Sequence, residues 1–373
     1  MPKIRVLIVD DTVVMRRLIA EVLARDEEIE VVGSAPNGAI ALQKLTQVNP
    51  DLVTMDVEMP EMNGVETVRR LRLTHPKLPV IMFSTLTTRG AATTLDALGA
   101  GATDYVSKPT SVANAEECIR RLTTELVPKI KAHCRHLCRP LAESDHTIFL
   151  RRVRSAASPP LPARPAPVEI VAIGTSTGGP NALVEVFRHF SASVSVPIVI
   201  VQHMPPLFTA MLAERLGRVS SLPVHEGQHG QPLEPGHAYL APGGSHMEVR
   251  RVDRQTQLLL HNGPPEHSCR PAVDVLFRSV AETHGSGALA VVMTGMGADG
   301  LRGCQCIHER GGRILTQDEA TSVVWGMPGY VARSGLAEAV LPLTEIGPAI
   351  LQHLRPAGAS TPRTTIHPTT TCH

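Results

Sequence analysis

Ile170-Val171-Ala172-Ile173-Gly174-Thr175-Ser176-Thr177-Gly178-Gly179-Pro180 decides the fold of the second half of the chain. The first four residues read as a strand apolar on both faces, the glycines as a sharp turn, and Asn181 to His189 as a helix. Strand, Gly-rich turn and helix form the repeating unit of an α/β fold. Two further apolar runs, Ile198 to Val201 and Ala288 to Met293, extend the theme, each followed by a turn containing Gly, Pro or His. In open parallel sheets ligands bind beyond the carboxyl ends of the strands, so these turns are where function is expected. Val224 to Leu260, richer in Gly, Pro and alternating residues, reads as an antiparallel hairpin region.

The first half follows the same alternation five times. Ile4 to Val9, Ile29 to Ser34, Leu52 to Met55, Val80 to Phe83 and Tyr105 to Ser107 are the expected strands. Thr12 to Arg25, Gly38 to Val48, Gly64 to Leu73, Thr87 to Leu98 and Ala113 to Val127 have helical spacing, with Asn37 and Asn63 as N-caps of two of them. The fold class is therefore α/β: an N-terminal (βα)5 unit over residues 1–128 and a C-terminal, doubly wound, mostly parallel unit over residues 168–354. Between them, residues 129–167 read as a basic, Pro-rich linker. Residues 131–167 hold seven Lys/Arg against two acids, and five prolines fall between Pro159 and Pro167, where they remove backbone donors. Residues 355–373, Pro/Thr-rich and without apolar periodicity, read as a tail.

At 373 residues the chain is long for one domain, and 43% hydrophobic with 19% charged residues excludes wholesale disorder. The net charge of +1 argues against a nucleic-acid coat, and neither flank of the linker is basic: 15 Lys/Arg against 17 Asp/Glu in residues 1–130, 12 against 16 in residues 168–354. No run approaches the ~18 apolar residues of a membrane span, and Met1-Pro2-Lys3-Ile4-Arg5 leads into a strand pattern instead of a secretory signal. A cytoplasmic address, no membrane insertion, no nucleic acid and a monomeric chain are expected. Seven scattered cysteines, an odd number, read as reduced thiols.

Asp10 and Asp11 follow the first strand, Asp56 the third, Ser84 the fourth, and Lys108 closes the fifth before Pro109. A parallel sheet brings all of them to one edge. Taken singly, each acid is an ordinary loop residue or cap. Three carboxylates together repel unless a hard divalent cation such as Mg²⁺ neutralises them, and a phosphoryl group there suits the Lys108 ammonium and the Ser84 hydroxyl. The set Asp10-Asp11, Asp56-Val57-Glu58-Met59-Pro60, Ser84-Thr85 and Tyr105-Val106-Ser107-Lys108-Pro109 resembles the receiver domain of bacterial response regulators over about 125 residues. The resemblance implies that Asp56 accepts a phosphoryl group from a histidine kinase, that Asp10, Asp11 and Asp56 with the Glu58 backbone hold Mg²⁺, and that Tyr105 is an aromatic switch.

In the second half, Gly174-Thr175-Ser176-Thr177-Gly178 matches G-x-S-x-G, a turn that presents a serine hydroxyl while helix-start amides face developing negative charge. A Walker A loop is excluded because Pro180 and Asn181 stand where its Lys-Ser/Thr pair belongs, and a dinucleotide loop because Ser176 replaces its second glycine. Among 17 histidines, His203 ends the strand next to that of Ser176, whereas His225, His229 and His261 lie in weakly patterned polar stretches. Asp299, in Thr294-Gly295-Met296-Gly297-Ala298-Asp299-Gly300, is the candidate orienting carboxylate, with an ordinary N-cap as its alternative. The order Ser, His, Asp differs from that of α/β-hydrolases.

These stretches, with Val201-Gln202-His203-Met204, Tyr239 to His246, Arg270 to Phe277 and Gln317 to Pro328, resemble the chemotaxis protein-glutamate methylesterases of the CheB family. The resemblance implies Ser176 as nucleophile, His203 as general acid/base, Asp299 as its orienting acid, and backbone amides near Thr177 and Met296 as oxyanion hole. It also implies hydrolysis of glutamate methyl esters on methyl-accepting chemotaxis receptors, deamidation of receptor glutamines by the same triad, activation by phosphorylation, and no cofactor for the ester chemistry. A DNA-binding output would need a basic helix-turn-helix, which is absent, and a silent receptor-binding scaffold is at odds with the complete triad. His133-Cys134-Arg135-His136-Leu137-Cys138 is a single short cluster, better read as helix end and linker than as a zinc site. Met204, Leu207, Met211 and Leu212 read as a packed helix face, and Arg151-Arg152-Val153-Arg154 as a solvated linker patch.

Overall fold

The computed structural model describes residues 2–85, 87–109, 115–134, 166–191 and 194–355. In the first half β1 (Ile4–Val9), β2 (Ile29–Ala35), β3 (Leu52–Asp56), β4 (Val80–Ser84) and β5 (Asp104–Ser107) form one parallel sheet in the order β2-β1-β3-β4-β5. β3 and β4 are buried throughout, which is why they read as unbroken apolar runs and not as alternating ones. The helices are α1 (Val13–Ala24), α2 (Gly38–Val48), α3 (Gly64–Thr74), α4 (Thr88–Gly99) and α5 (Ala115–His133). Asn37 and Asn63 cap as expected, accepting from the amides of Ile40 and Glu66, and Thr12 and Thr87 cap α1 and α4 in the same way. Each such cap is worth about 1 kcal/mol against alanine.

α5 continues through Pro128 to His133, five residues past the expected end of the first unit at 128. Its last turn is held by burial: Cys134 is fully buried, and the His133 side chain sits against Asp104, with Nε2 3.6 Å from Oδ2. The rest of the His/Cys cluster, the linker residues 135–165 with their arginine patch, and the tail residues 356–373 lie outside the described residues.

The second half is built on seven parallel strands. β6 (Ile170–Thr175), β7 (Ile198–Gln202), β8 (Val224–Glu226), β9 (Ala238–Leu240), β12 (Ala288–Val292), β13 (Arg313–Gln317) and β14 (Ala339–Leu341) run in the order β14-β13-β12-β6-β7-β9-β8. The expected hairpin is β10 (His246–Val252) with β11 (Gln255–His261), antiparallel and outside that sheet. Helices α6 (Gly179–Phe187), α7 (Phe208–Val219), α8 (Val273–His284), α9 (Leu301–Glu309), α10 (Met327–Ser334) and α11 (Leu343–Leu354) complete the unit. α6 begins two residues before Asn181, with Pro180 in its first turn, where a missing donor costs nothing. From β6 the chain winds one way into β7, while the later β12 is added on the other side. The crevice between the carboxyl ends of β6 and β12 is thus the topological switch point, where α/β sheets bind ligands.

Candidate functional site

Parallel pairing sets Thr175 opposite Gln202, so Ser176 and His203 leave β6 and β7 side by side, and the His203 amide donates to the Thr175 carbonyl at 3.2 Å. On the other flank the Ser176 amide donates to the Thr294 carbonyl at 3.0 Å, joining the turn to the loop that carries Met296 and Asp299. Glycines permit these approaches at two points. Gly178 has φ 78°, and a Cβ on Gly295 would stand 2.4 Å from Met327 Sδ and 2.8 Å from Ser176 Cβ.

Asp299 is 2% exposed, and its Oδ2 accepts from His203 Nε2 at 2.8 Å and from the Val273 amide at 2.7 Å. Its Oδ1 accepts from the amides of Asp274 at 2.8 Å and Gly300 at 2.9 Å. Val273 and Asp274 open α8, so the carboxylate lies on the positive end of a helix other than the one it precedes. The ordinary N-cap alternative therefore fails: α9, which starts just after Asp299, has no side-chain cap bond. Burial pushes the Asp299 carboxyl up, but the bond and charge of His203 and the backbone amides outweigh it and hold it below the usual range. For His203 burial pulls down, while the hydrogen bond and charge of Asp299, with a further hydrogen bond to Cys269, raise the imidazole above its usual range.

The second ring nitrogen, Nδ1, faces Cys269 Sγ at 3.5 Å. Among the described residues, no hydrogen bond joins Ser176 Oγ to the imidazole, and the amides of Thr177 and Met296 reach no acceptor. All five residues line one cavity of about 520 Å³. Thr177 is buried and the Met296 side chain is 40% exposed.

The acidic residues also meet. Lys108 Nζ pairs with Asp10 Oδ2 at 3.0 Å and Asp56 Oδ2 at 2.7 Å, while one ligand atom from each of Asp10, Asp11 and Asp56 lies within 4.8 Å of the others. Asp10 Oδ2 is buried with no hydrogen bond beyond that ion pair. Burial, with a smaller push from Asp10, raises Asp56 to about 6 against the pull of Lys108. An all-oxygen set of three converging carboxylates fits a hard divalent cation. The Glu58 amide donates to Asp56 Oδ1 at 3.4 Å, its side chain points outward to Arg89, and Ser84 Oγ donates to the Gly90 carbonyl at 3.0 Å.

Residues 171–350 match the CheB methylesterase family, and residues 6–120 the response regulator receiver domain. The protein-glutamate methylesterase/protein-glutamine glutaminase of Trichodesmium erythraeum is 49% identical over 357 residues, covering 95% of this chain and 100% of that protein. Its namesake from Nocardioides sp. is 50% identical over 369 residues, covering 96% and 100%. The chain belongs to the CheB methylesterase family. The crystal structure of the Thermotoga maritima CheB methylesterase catalytic domain is similar at 38% identity, covering 50% of this chain and 99% of that one with a TM-score of 0.49.

In this CheB family member the receiver lies over the methylesterase cavity, whose wall includes Asp104, Tyr105 and Lys129. The Tyr105 ring stacks on Phe208 at the start of α7, centroids 5.0 Å apart and 10° from parallel. Lys129 holds the tyrosine from behind, donating to its carbonyl at 2.6 Å and to Asp104 at 3.0 Å. Beside the stack, Asn181 Nδ2 donates to the Leu98 carbonyl at 3.0 Å and Arg215 Nη1 to the Leu95 carbonyl at 3.0 Å. Sequence reasoning found Tyr105 but none of its partners, nor Cys269, because loop and helix-surface contacts between distant segments leave no periodic trace. It also placed Leu207 on a packed helix face. Leu207 instead precedes α7 with φ 71° and is 46% exposed, and Met204, though buried, also lies before the helix, whereas Leu212 is buried on α7 as expected.

Among the described residues no helix is long and apolar enough to cross a membrane.

Proposed function

We propose that this chain is a phosphorylation-activated serine esterase that hydrolyses glutamate methyl esters on methyl-accepting chemotaxis receptors, releases methanol, and deamidates receptor glutamines during chemotactic adaptation. The observation that carries the reading is the His203 imidazole, held by Asp299 at 2.8 Å and set at the strand end beside the Ser176 turn. Ser176 Oγ attacks the ester carbonyl while His203 Nδ1 takes its proton. The amides of Thr177 and Met296 receive the oxyanion, and His203 returns the proton to the leaving methoxide. Water then cleaves the acyl-enzyme with the same imidazole as base, and Asp299 stays ionised throughout. With a glutamine substrate the leaving group is ammonia and the residue roles are unchanged. Accepting the serine proton requires a free Nδ1, so Cys269 must yield that nitrogen during turnover.

Asp56 is the phosphoacceptor, served by a histidine kinase. Asp10, Asp11 and Asp56, with the Glu58 backbone, hold Mg²⁺, which neutralises carboxylate and phosphoryl oxygens when bound; Lys108 and Ser84 serve the phosphoryl group. The added charge repositions the loops after β4 and β5, and Tyr105, on β5, is the switch that leaves Phe208 and uncovers the cavity. The chain works as a cytoplasmic monomer without nucleic acid or membrane insertion.

Methanol release from methylated receptor membranes tests the reading, with and without a small-molecule phosphodonor and Mg²⁺. Ser176→Ala is expected to lose on the order of 10⁴-fold or more in rate. Asp56→Asn is expected to keep the basal rate and lose the stimulation. An active Ser176→Ala chain, or equal rates with and without phosphodonor, overturns it.

A further inference from the structure

We propose that Cys269 is a second reactive nucleophile of the esterase cavity, a thiol that small peroxides oxidise and whose oxidation reversibly silences Ser176. The sulfur does not act alone. Sγ lies 3.5 Å from His203 Nδ1, His203 Nε2 lies 2.8 Å from Asp299, and three backbone amides fix Asp299. Carboxylate, imidazole and nucleophilic atom in hydrogen-bonded series is the arrangement that activates a serine or cysteine, and here the atom at its reacting end is sulfur.

The loop that presents Cys269 is built for it. His267 and Ser268 both have left-handed backbones, φ 51° and 61°, a conformation unfavourable for non-glycine residues. Three sets of contacts hold the loop. Cys269 and Glu266 exchange backbone hydrogen bonds at 2.8 and 3.1 Å, Arg278 grips Glu266 with two bonds at 3.0 and 2.6 Å, and His267 Nε2 meets buried Asp274 at 2.8 Å. Cys269 is half-buried on the cavity wall, whereas Cys118, Cys134 and Cys304 are buried; Cys306 is also half-buried, but its thiol is pushed up by burial.

In the reaction His203 Nδ1 takes the thiol proton and the thiolate attacks one oxygen of hydrogen peroxide. The S–O bond forms as the O–O bond breaks, sulfur loses two electrons to the peroxide, and the departing hydroxide takes the proton from the imidazolium and leaves as water. The sulfenic acid left behind occupies Nδ1 and crowds Ser176. A small thiol, condensing with it and releasing water, yields a mixed disulfide that a second thiol reduces.

The test uses the full chain at pH 7, with iodoacetamide labelling of each cysteine followed by peptide mass spectrometry. Cys269 is expected to react at least tenfold faster than Cys306, and His203→Gln to slow Cys269 at least tenfold while leaving Cys306 unchanged. Peroxide is expected to abolish esterase activity, dithiothreitol to restore it, and Cys269→Ser to keep its activity through the same treatment. Labelling of Cys269 no faster than Cys306, indifference to His203→Gln, or equal peroxide loss in Cys269→Ser overturns the proposal. The labelling reads thiol chemistry without any ester, so its failure is distinct from failure of the esterase reading.

Discussion

Replacing Arg215 by methionine separates receiver docking from cavity chemistry. The guanidinium donates to the Leu95 carbonyl at 3.0 Å and to Asn181 Oδ1 at 3.4 Å, and it lies against Gly99, where a Cβ would stand 3.1 Å from Nη2. It does not line the cavity, and methionine keeps the apolar stem that packs along α7. A hydrogen bond from a charged donor is worth about 1.5–3 kcal/mol. Partial burial already pulls the Arg215 pKa down, so desolvation offsets part of that gain and the lower end applies. Losing about 1.5 kcal/mol from the docked state multiplies the undocked fraction roughly tenfold. Methanol release without phosphodonor is therefore expected to rise by about that factor, while the fully phosphorylated rate, already undocked, stays where it was. An unchanged basal rate would falsify the docking argument. So would an equal rise in both rates, which would place the effect in the chemistry.

Lys129→Met should uncover the buried Asp104. Burial pushes this carboxyl up, but Lys129 and His133 outweigh it and hold it at about 2. A depressed carboxyl stabilises the fold above its unfolded pKa near 3.8 and loses that contribution as pH falls toward 2, a span on the order of 2 kcal/mol. The variant is expected to melt well below wild type at pH 7, to keep roughly half of that deficit at pH 3 and to approach wild type only near pH 2, by circular dichroism. Asp56→Asn has the opposite sign. A carboxyl raised from 3.8 to about 6 costs stability that builds up as pH rises between those values and is complete above 6, so in metal-free buffer at pH 7 the variant should gain on the order of 2 kcal/mol in a urea titration and show almost no gain at pH 3. Gly295→Ala places a methyl 2.8 Å from Ser176 Cβ and 2.4 Å from Met327 Sδ; it should cost about 1–3 kcal/mol of stability and most of the esterase rate.

The strand ends were legible because a parallel sheet buried on both faces writes itself as unbroken apolar runs. All five strands of the first unit and three central strands of the second stand where their patterns put them, mostly one or two residues longer. The strands β8, β9 and β14, three residues each, are too short to carry a pattern, and β13, with Arg313 and Gln317 at its ends around three central residues, was not read either. Ser176, His203 and Asp299 were legible because each ends or follows such a run. What the sequence hid was the company they keep: the α8 amides around Asp299, the sulfur at Nδ1, and the Tyr105–Phe208 stack all depend on tertiary placement. The helical spacing was followed only to Val127; α5 runs on through Pro128 to His133 because its last turns are pinned by Cys134 and by the ion pairs of Lys129 and Lys131.

The pairing of Thr175 with Gln202 leaves the hydroxyl and the imidazole one step past the last rung of a ladder with a two-residue repeat. Adding or deleting a single residue inside either rail would turn one of the two groups toward the opposite side of the sheet and disconnect them, whatever became of the core. Growth or shrinkage between Ile170 and His203 is thus harmless only in the connector after Phe187, which makes the spacing of the reacting atoms a property of backbone geometry.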